Sequence, residues 1–292
     1  MISRRAALGI LAGGVVAACS SGSGPSSSPP STTAPEVPIT YGKDPTQVGD
    51  LWLPTPRPTK PVGVVVLIHG GFWRSQYTRS LMEPLARDVI GRGWAAWNLD
   101  YRPSDASGGG WPGTFTDVAQ GIDLLDAKAR EHSLDLDKVV TVGHSAGGCL
   151  SLWAAARAGL PAIAPGAKPR VTPVLAVSQA GVNNLIAGWF EDLGDGAVGD
   201  LMGGAPKDAG DAYTLASPAE RLPLGVDQVL AHGLADVIVP VEQTTHYAAK
   251  ASDAGDDVSI VTVKGETHFD VIDPQKESWR KTVTHIEKVL DA

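Results

Sequence analysis

From residue 39 onward the chain is punctuated by apolar runs: VGVVVLI (62–68), WAAWNL (94–99), KVVTV (138–142), PVLAVS (173–178), DQVLAH (227–232) and VSIVTV (258–263). They are rich in Val, Ile and Leu and do not alternate with polar residues, the pattern of strands buried on both faces of a parallel sheet. Helix-length segments separate them. In FTDVAQGIDLLDAKAREH (115–132), Val118, Ile122, Leu125 and Ala129 recur at steps of three and four. TRSLMEPLARDVIGRG (78–93), AGGCLSLWAAARAG (146–159), EQTTHYAAKASDAG (242–255) and ESWRKTVTHIEKVLDA (277–292) behave alike. Strands alternating with helices predict an α/β fold with a mostly parallel central sheet and helices on both faces. No repeat and no second linker break residues 39–292, which read as one domain. Residues 182–224 are less regular, mixing apolar positions with many Gly and Asp. They read as an insertion of short helices and loops at a sheet edge, a small lid.

The first 38 residues follow other rules. MISRR is positive, residues 6–18 carry no charge, and Val16-Ala17-Ala18 leads into Cys19. A bilayer-spanning helix needs about 20 apolar residues, so this run has the proportions of a secretory signal. Small residues ahead of one Cys resemble the bacterial lipobox. The resemblance implies removal of residues 1–18 and lipid on the sulfur and amine of Cys19, which would hold the protein at the outer face of the cytoplasmic membrane. Residues 19–38, rich in Ser, Pro and Thr, cannot bury apolar area and read as a disordered tether. Only Cys149 would then remain as a free thiol. Arg4 and Arg5 leave both Sec and Tat export open.

Composition is that of a globular protein, 43% hydrophobic and 19% charged, with a formal net charge of −8. No basic run or stripe is present, which argues against a nucleic-acid partner. An acidic surface would not adhere to anionic head groups either. Attachment to a membrane would therefore rest on the lipid.

The chemistry concentrates at strand ends. Gly143-His144-Ser145-Ala146-Gly147 matches G-x-S-x-G and lies between the run KVVTV and an apolar helical stretch. That strand–turn–helix context makes Ser145 a candidate nucleophile rather than a helix-capping serine. A serine hydroxyl needs a base. Of seven histidines only His268 lies just past the last strand, whereas His132, His246 and His285 fall on helices. Asp236 follows the preceding strand and is placed to orient His268 and stabilise its charged form. Glu266 and Asp270 stand too close to His268 in sequence to face its far nitrogen. Attack on a carbonyl produces an oxyanion, which preorganised N–H groups stabilise. One donor is Ala146, after the nucleophile. Others come from HGGFW (69–73), where glycines let the backbone approach substrate: Gly71 and Phe72, with Gly70 as an alternative. His69 reads as a brace for this loop. Trp73 and Phe269 are candidates to line a substrate pocket.

HGGFW, GHSAGG, HGLADVIVP and THFDVIDP, in this order, resemble the α/β-hydrolase superfamily, and within it the carboxylesterase and N-formylkynurenine formamidase-like branch. The likeness extends over about residues 40–292. It implies a Ser145–Asp236–His268 triad working without metal or cofactor. A small-molecule ester is the expected substrate, with short acyl chains expected because the insertion is modest and glycine-rich. Two other readings stay open: a formamidase or amidase, and a surface lipoprotein with a vestigial site. Thr267, where the branch favours glycine, is a departure.

Overall fold

The computed structural model describes residues 38–292; the expected signal peptide, Cys19 and the tether up to residue 37 lie outside the described residues. Eight strands form one sheet: β1 (Ile39–Thr40), β2 (Val48–Trp52), β3 (Val62–Ile68), β4 (Ala95–Leu99), β5 (Leu134–His144), β6 (Leu175–Gln179), β7 (Asp227–Gly233) and β8 (Val258–Val263). Their order is β1-β2-β4-β3-β5-β6-β7-β8. β2 pairs antiparallel with both β1 and β4, and the remaining pairs are parallel. Each of the expected runs is a strand.

The continuous apolar character of β3 follows from its place near the sheet centre. Val64, Val66 and Ile68 pack on one face with Trp97, Phe115 and Trp153. Val65 and Leu67 pack on the other with Met82, Leu85 and Trp279. The covering elements are α1 (Glu83–Gly91), α2 (Gly113–His132) and α3 (Ala146–Ala156), then α4 (Leu185–Phe190), α5 (Ala197–Met202) and α6 (Ala212–Ala216) of the insertion, then α7 (Glu242–Asp253) and α8 (Glu277–Leu290). Among the described residues no helix is long and apolar enough to cross a membrane.

The edge strand β1 and its neighbour β2 were not expected. β2 reads VGDLW, with Gly and Asp inside it, so no apolar run announces it. Its Gly49 admits the Trp97 ring, which a Cβ would meet at 2.6 Å. Its buried Asp50 is matched by the Arg79 guanidinium at 2.7 Å.

Strand register decides where the site forms. Ile68 pairs with Gly143, His144 with Gln179, Gln179 with Ala231, and Gly233 with Val263. The loops after β3, β5, β7 and β8 therefore leave from the same edge of the sheet, although far apart in sequence.

Candidate active site

Ser145 sits between the last residue of β5 and the first of α3, with φ 54° and ψ −118°. A non-glycine residue in such a conformation costs about 1–3 kcal/mol and persists only where its surroundings over-determine it. Here they do. The Ser145 N–H donates to Gln179 O at 2.8 Å, and Ser145 O accepts from Gly148 N at 2.8 Å. The flanking glycines are required by contact: a Cβ on Gly143 would lie 1.9 Å from Gly147 O, and one on Gly147 2.1 Å from Ile68 O. The turn thus packs against the end of β3, and the N-terminus of α3, where helix dipoles favour negative charge, begins at the serine.

Ser145 lines a cleft of about 60 Å³ with Gly71, Phe72, Tyr77, His144, Ile238, His268 and Phe269. His268 is buried, and its Nδ1 lies 2.7 Å from Asp236 Oδ2. With Nδ1–H donating to the carboxylate, Nε2 is left with its lone pair, the form a general base needs. No hydrogen bond joins Ser145 Oγ to His268 in this conformation. Such bonds are often long before substrate binds and tighten in the complex.

Asp236 is held from every side. Its Oδ1 accepts from the N–H groups of Ile238 (2.8 Å) and Val239 (3.0 Å). Its Oδ2 also faces His232 Nε2 at 3.2 Å. Burial works to raise the carboxyl pKa, but the bonds from His232, His268 and Val239 outweigh it and hold it well below the usual range. His232 Nε2 faces two acceptors, Asp236 and Val239 O (3.1 Å), so it is assigned the proton, and Nδ1 accepts from the Thr244 hydroxyl at 2.8 Å.

The loop after β3 runs through three consecutive positive φ values, Gly71 113°, Phe72 51° and Trp73 56°. A Cβ on Gly71 would meet the Tyr77 ring at 2.4 Å. The N–H groups of Gly71, Phe72 and Ala146 have no acceptor among the described residues and are available to a ligand. His69 braces this loop. Its ring spans Gly70 O (2.8 Å) and Asp100 Oδ1 (3.3 Å) and stacks on Tyr101 at 4.3 Å. The Tyr101 hydroxyl donates to His69 O at 2.9 Å. Asp100 is in turn gripped by the Arg79 guanidinium and by Arg79 N at 2.6 Å. Burial pushes the Asp100 carboxyl up, yet its bonds to His69 and Arg79 bring it below its ordinary value.

Two expectations are corrected. Trp73 does not line the cleft: it is fully buried in the core, because the left-handed arch leaves Phe72 at the cleft and turns the next residue into the interior. The insertion does not wall the cleft, since no residue of 182–224 lines it. Its helices instead join the core through Leu185, Val198, Leu201 and Tyr213. It meets the loop after β3 where Arg74 bonds Gly194 O at 2.8 Å and where a Cβ on Gly194 would strike Phe72 at 2.5 Å.

Thr267 has a local purpose that glycine lacks. Its N–H and hydroxyl both donate to Asp270 Oδ2, at 2.7 and 2.6 Å, and Asp270 pairs with Lys276. Glu266 bonds the first N–H of α8 at 2.9 Å. Sequence reasoning missed Tyr77 and Ile238 on the cleft and Arg79, Asp100 and His232 behind it. The only available signal was that Asp100 and His232 both end strand-like runs.

The sheet, the left-handed serine turn and the loops gathered at one edge define the α/β-hydrolase fold. Within that class the chain belongs to the BD-FAE family, which matches residues 50–251. It is 27% identical to Esterase LipC of Mycobacterium tuberculosis (strain ATCC 25618 / H37Rv) over 247 residues, 80% of this chain and 60% of that protein. It is 28% identical to Esterase LipQ of the same organism over 215 residues, 70% of this chain and 50% of that protein. The chain therefore spans only 60% and 50% of the length of these curated relatives. Among solved structures, Esterase B from Lactobacillus rhamnosis with a tributyrin phosphonate matches with a TM-score of 0.75 at 19% identity, over 88% of this chain and 85% of that one. Butyrate-bound Est2 of Thermogutta terrifontis matches with a TM-score of 0.70 at 22% identity, over 90% and 95%.

Proposed function

We propose that this chain is a serine esterase hydrolysing short-chain carboxylic esters through an acyl-enzyme. The observation that carries this reading is the single cleft that joins a serine held at positive φ to a histidine whose Nδ1 is committed to a buried carboxylate. Relatives named as esterases add to it.

Ser145 Oγ attacks the ester carbonyl carbon while His268 Nε2 takes its proton. Asp236 holds the resulting imidazolium in place. The oxyanion accepts hydrogen bonds from Gly71, Phe72 and Ala146; removing one such donor typically costs about 3–4 kcal/mol of barrier. Collapse of the tetrahedral species breaks the bond to the alcohol oxygen, which leaves with the proton from His268. Water then attacks the acyl-serine by the same route, releasing the acid and restoring Ser145.

The cleft's size and lining support short acyl chains. At about 60 Å³ the cleft is far smaller than the several hundred Å³ typical of sites that enclose drug-sized ligands, which favours a small acyl group. Phe72, Ile238 and Phe269 make its walls apolar. The anchor is proposed from sequence alone: Val16-Ala17-Ala18-Cys19 supports display at the outer face of the cytoplasmic membrane through a lipidated Cys19. Cys19→Ser then moves activity from the membrane fraction to the soluble one.

The test is turnover of p-nitrophenyl acetate beside an aryl formamide, with wild type and Ser145→Ala. Ester hydrolysis that exceeds formamide hydrolysis and disappears in the variant supports the reading. Faster formamide cleavage makes the chain an amidase, and a wild type inert on both leaves it a binding protein.

A further inference from the structure

His144 occupies the variable position of the G-x-S-x-G turn, where the motif itself demands no particular side chain. Its ring is nevertheless fully enclosed, only 1% exposed. Nε2 lies 2.9 Å from the backbone carbonyl oxygen of His268, and the two rings are 4.6 Å apart between centroids. The Phe269 ring follows at 5.6 Å. An acceptor opposite Nε2 assigns the proton to that nitrogen. Nδ1 is buried with no hydrogen-bond partner among the described residues. It faces the loop after β3 so closely that a Cβ on Gly70 would lie 2.7 Å from it and 2.9 Å from Ser145 Cβ. One ring therefore touches the oxyanion loop on one side and the base loop on the other, while its own backbone leads into the nucleophile.

From this geometry we infer that His144 is a positioning residue for the reaction: its Nε2–H fixes the main chain of His268, and its ring sets the spacing between the base and the oxyanion loop. The inference rests on the esterase reading above. Asp236 holds the His268 side chain from the Nδ1 end, but nothing in that bond fixes where the ring pivots. The bond from His144 to the carbonyl supplies this second constraint. Misplacing a reacting group by about 1 Å is enough to cost on the order of 100-fold in rate. The role requires a neutral imidazole, since a proton on Nδ1 would put charge against Gly70 with no acceptor. Burial, with the nearby His268 adding to it, holds His144 down to about 3. The charged and titratable groups that bear on it are His268, Asp236 and His69, from the loops after β8, β7 and β3.

The experiment compares His144→Leu and His144→Gln with wild type. kcat and KM are measured on p-nitrophenyl acetate, folding is checked by thermal melting, and the His268 Nδ1–H is followed as a far-downfield proton resonance in the unreacted protein. Leucine removes the donor; glutamine restores an N–H of comparable reach. The expected result for leucine is a kcat lower by roughly 10- to 100-fold, KM little changed, and the resonance broadened or lost. Glutamine is expected to recover kcat to within several-fold and to keep the resonance. Wild-type kcat in a folded leucine variant overturns the inference, as does equal loss in folded leucine and glutamine variants. If the leucine variant does not fold, glutamine decides: near-wild-type kcat with the resonance supports the role, and a loss as deep as that of Ser145→Ala overturns it. A failed esterase reading looks different, because the wild type then shows no turnover while the resonance still reports on His144 in all proteins.

Discussion

Each polar atom of Asp236 has a donor, and each donor does separate work. The N–H groups of Ile238 and Val239 fix Oδ1, which leaves Oδ2 to His268 and His232. Asp236→Asn keeps the shape but presents an amide that prefers the other imidazole tautomer, which removes the lone pair from Nε2. The expected outcome is a kcat lower by about 10²–10⁴ with KM little changed, measured by steady-state hydrolysis of p-nitrophenyl acetate. The convergence of Ser145, Asp236 and His268 at one edge of the sheet was legible in the sequence because each follows an apolar run in a recognisable order, and the serine turn imposes glycines at fixed spacing. Trp73 was not, because whether a ring meets substrate or core depends on three successive left-handed residues that no local pattern announces. Arg79, Asp100 and His232 were hidden because their roles consist of contacts between distant segments.

Elements with regular burial could be read from spacing alone. α2, α3, α7 and α8 begin within two residues of their expected starts, since amphipathic or fully apolar periodicity is a property of one segment. β1 and β2 could not be read: β1 is two half-exposed or exposed residues, and the burial of Gly49 and Asp50 in β2 is granted by Trp97 and Arg79 from elsewhere in the chain. The insertion's composition gave its short helices but not their place, which is packed against the core. The braces of the loop after β3 belong to this scale. Asp100→Asn weakens the link from α1's leading turn through His69 to Gly70 and lets the loop drift. An approximately tenfold lower kcat, within the range of a modest misplacement, is expected on p-nitrophenyl acetate, with the fold retained by circular dichroism. Cleft walls come from the same loops. Activity should fall at least about tenfold from p-nitrophenyl butyrate to the laurate ester, because the cleft is small and walled by Phe72, Ile238 and Phe269, while Ile238→Ala should narrow that gap.

At the scale of the whole molecule, the fold carries a set of groups whose protonation opposes it. His144 is depressed by burial, with the neighbouring His268 adding to it, from 6.5 to about 3. Asp270 is depressed to about 2 by Lys276 and Thr267, and Asp236 is held lower still. A depressed folded pKa means that the unfolded chain binds protons more readily, so the stability these groups contribute is present above their unfolded values and is lost as pH falls. Loss should begin below about pH 6.5 through His144 and steepen below about pH 4 (the unfolded range of Asp) through the carboxylates. Urea midpoints measured from pH 8 to pH 3 check this; His144→Gln should reduce the upper limb, to which the lowered His285 also adds, and leave the lower one.

The central claim is that Ser145, His268 and the three N–H groups act on one carbonyl carbon, and a covalent phosphonate mimic of the tetrahedral species tests it most directly. In a crystal structure of the protein inactivated by a p-nitrophenyl alkylphosphonate, the account predicts phosphorus on Ser145 Oγ. The phosphonyl oxygen should then lie about 3 Å from the N–H groups of Gly71, Phe72 and Ala146, with the His268 ring beside the ester oxygen. An inactivated protein with Ser145 unmodified, or a phosphonyl oxygen turned away from all three N–H groups, would contradict it.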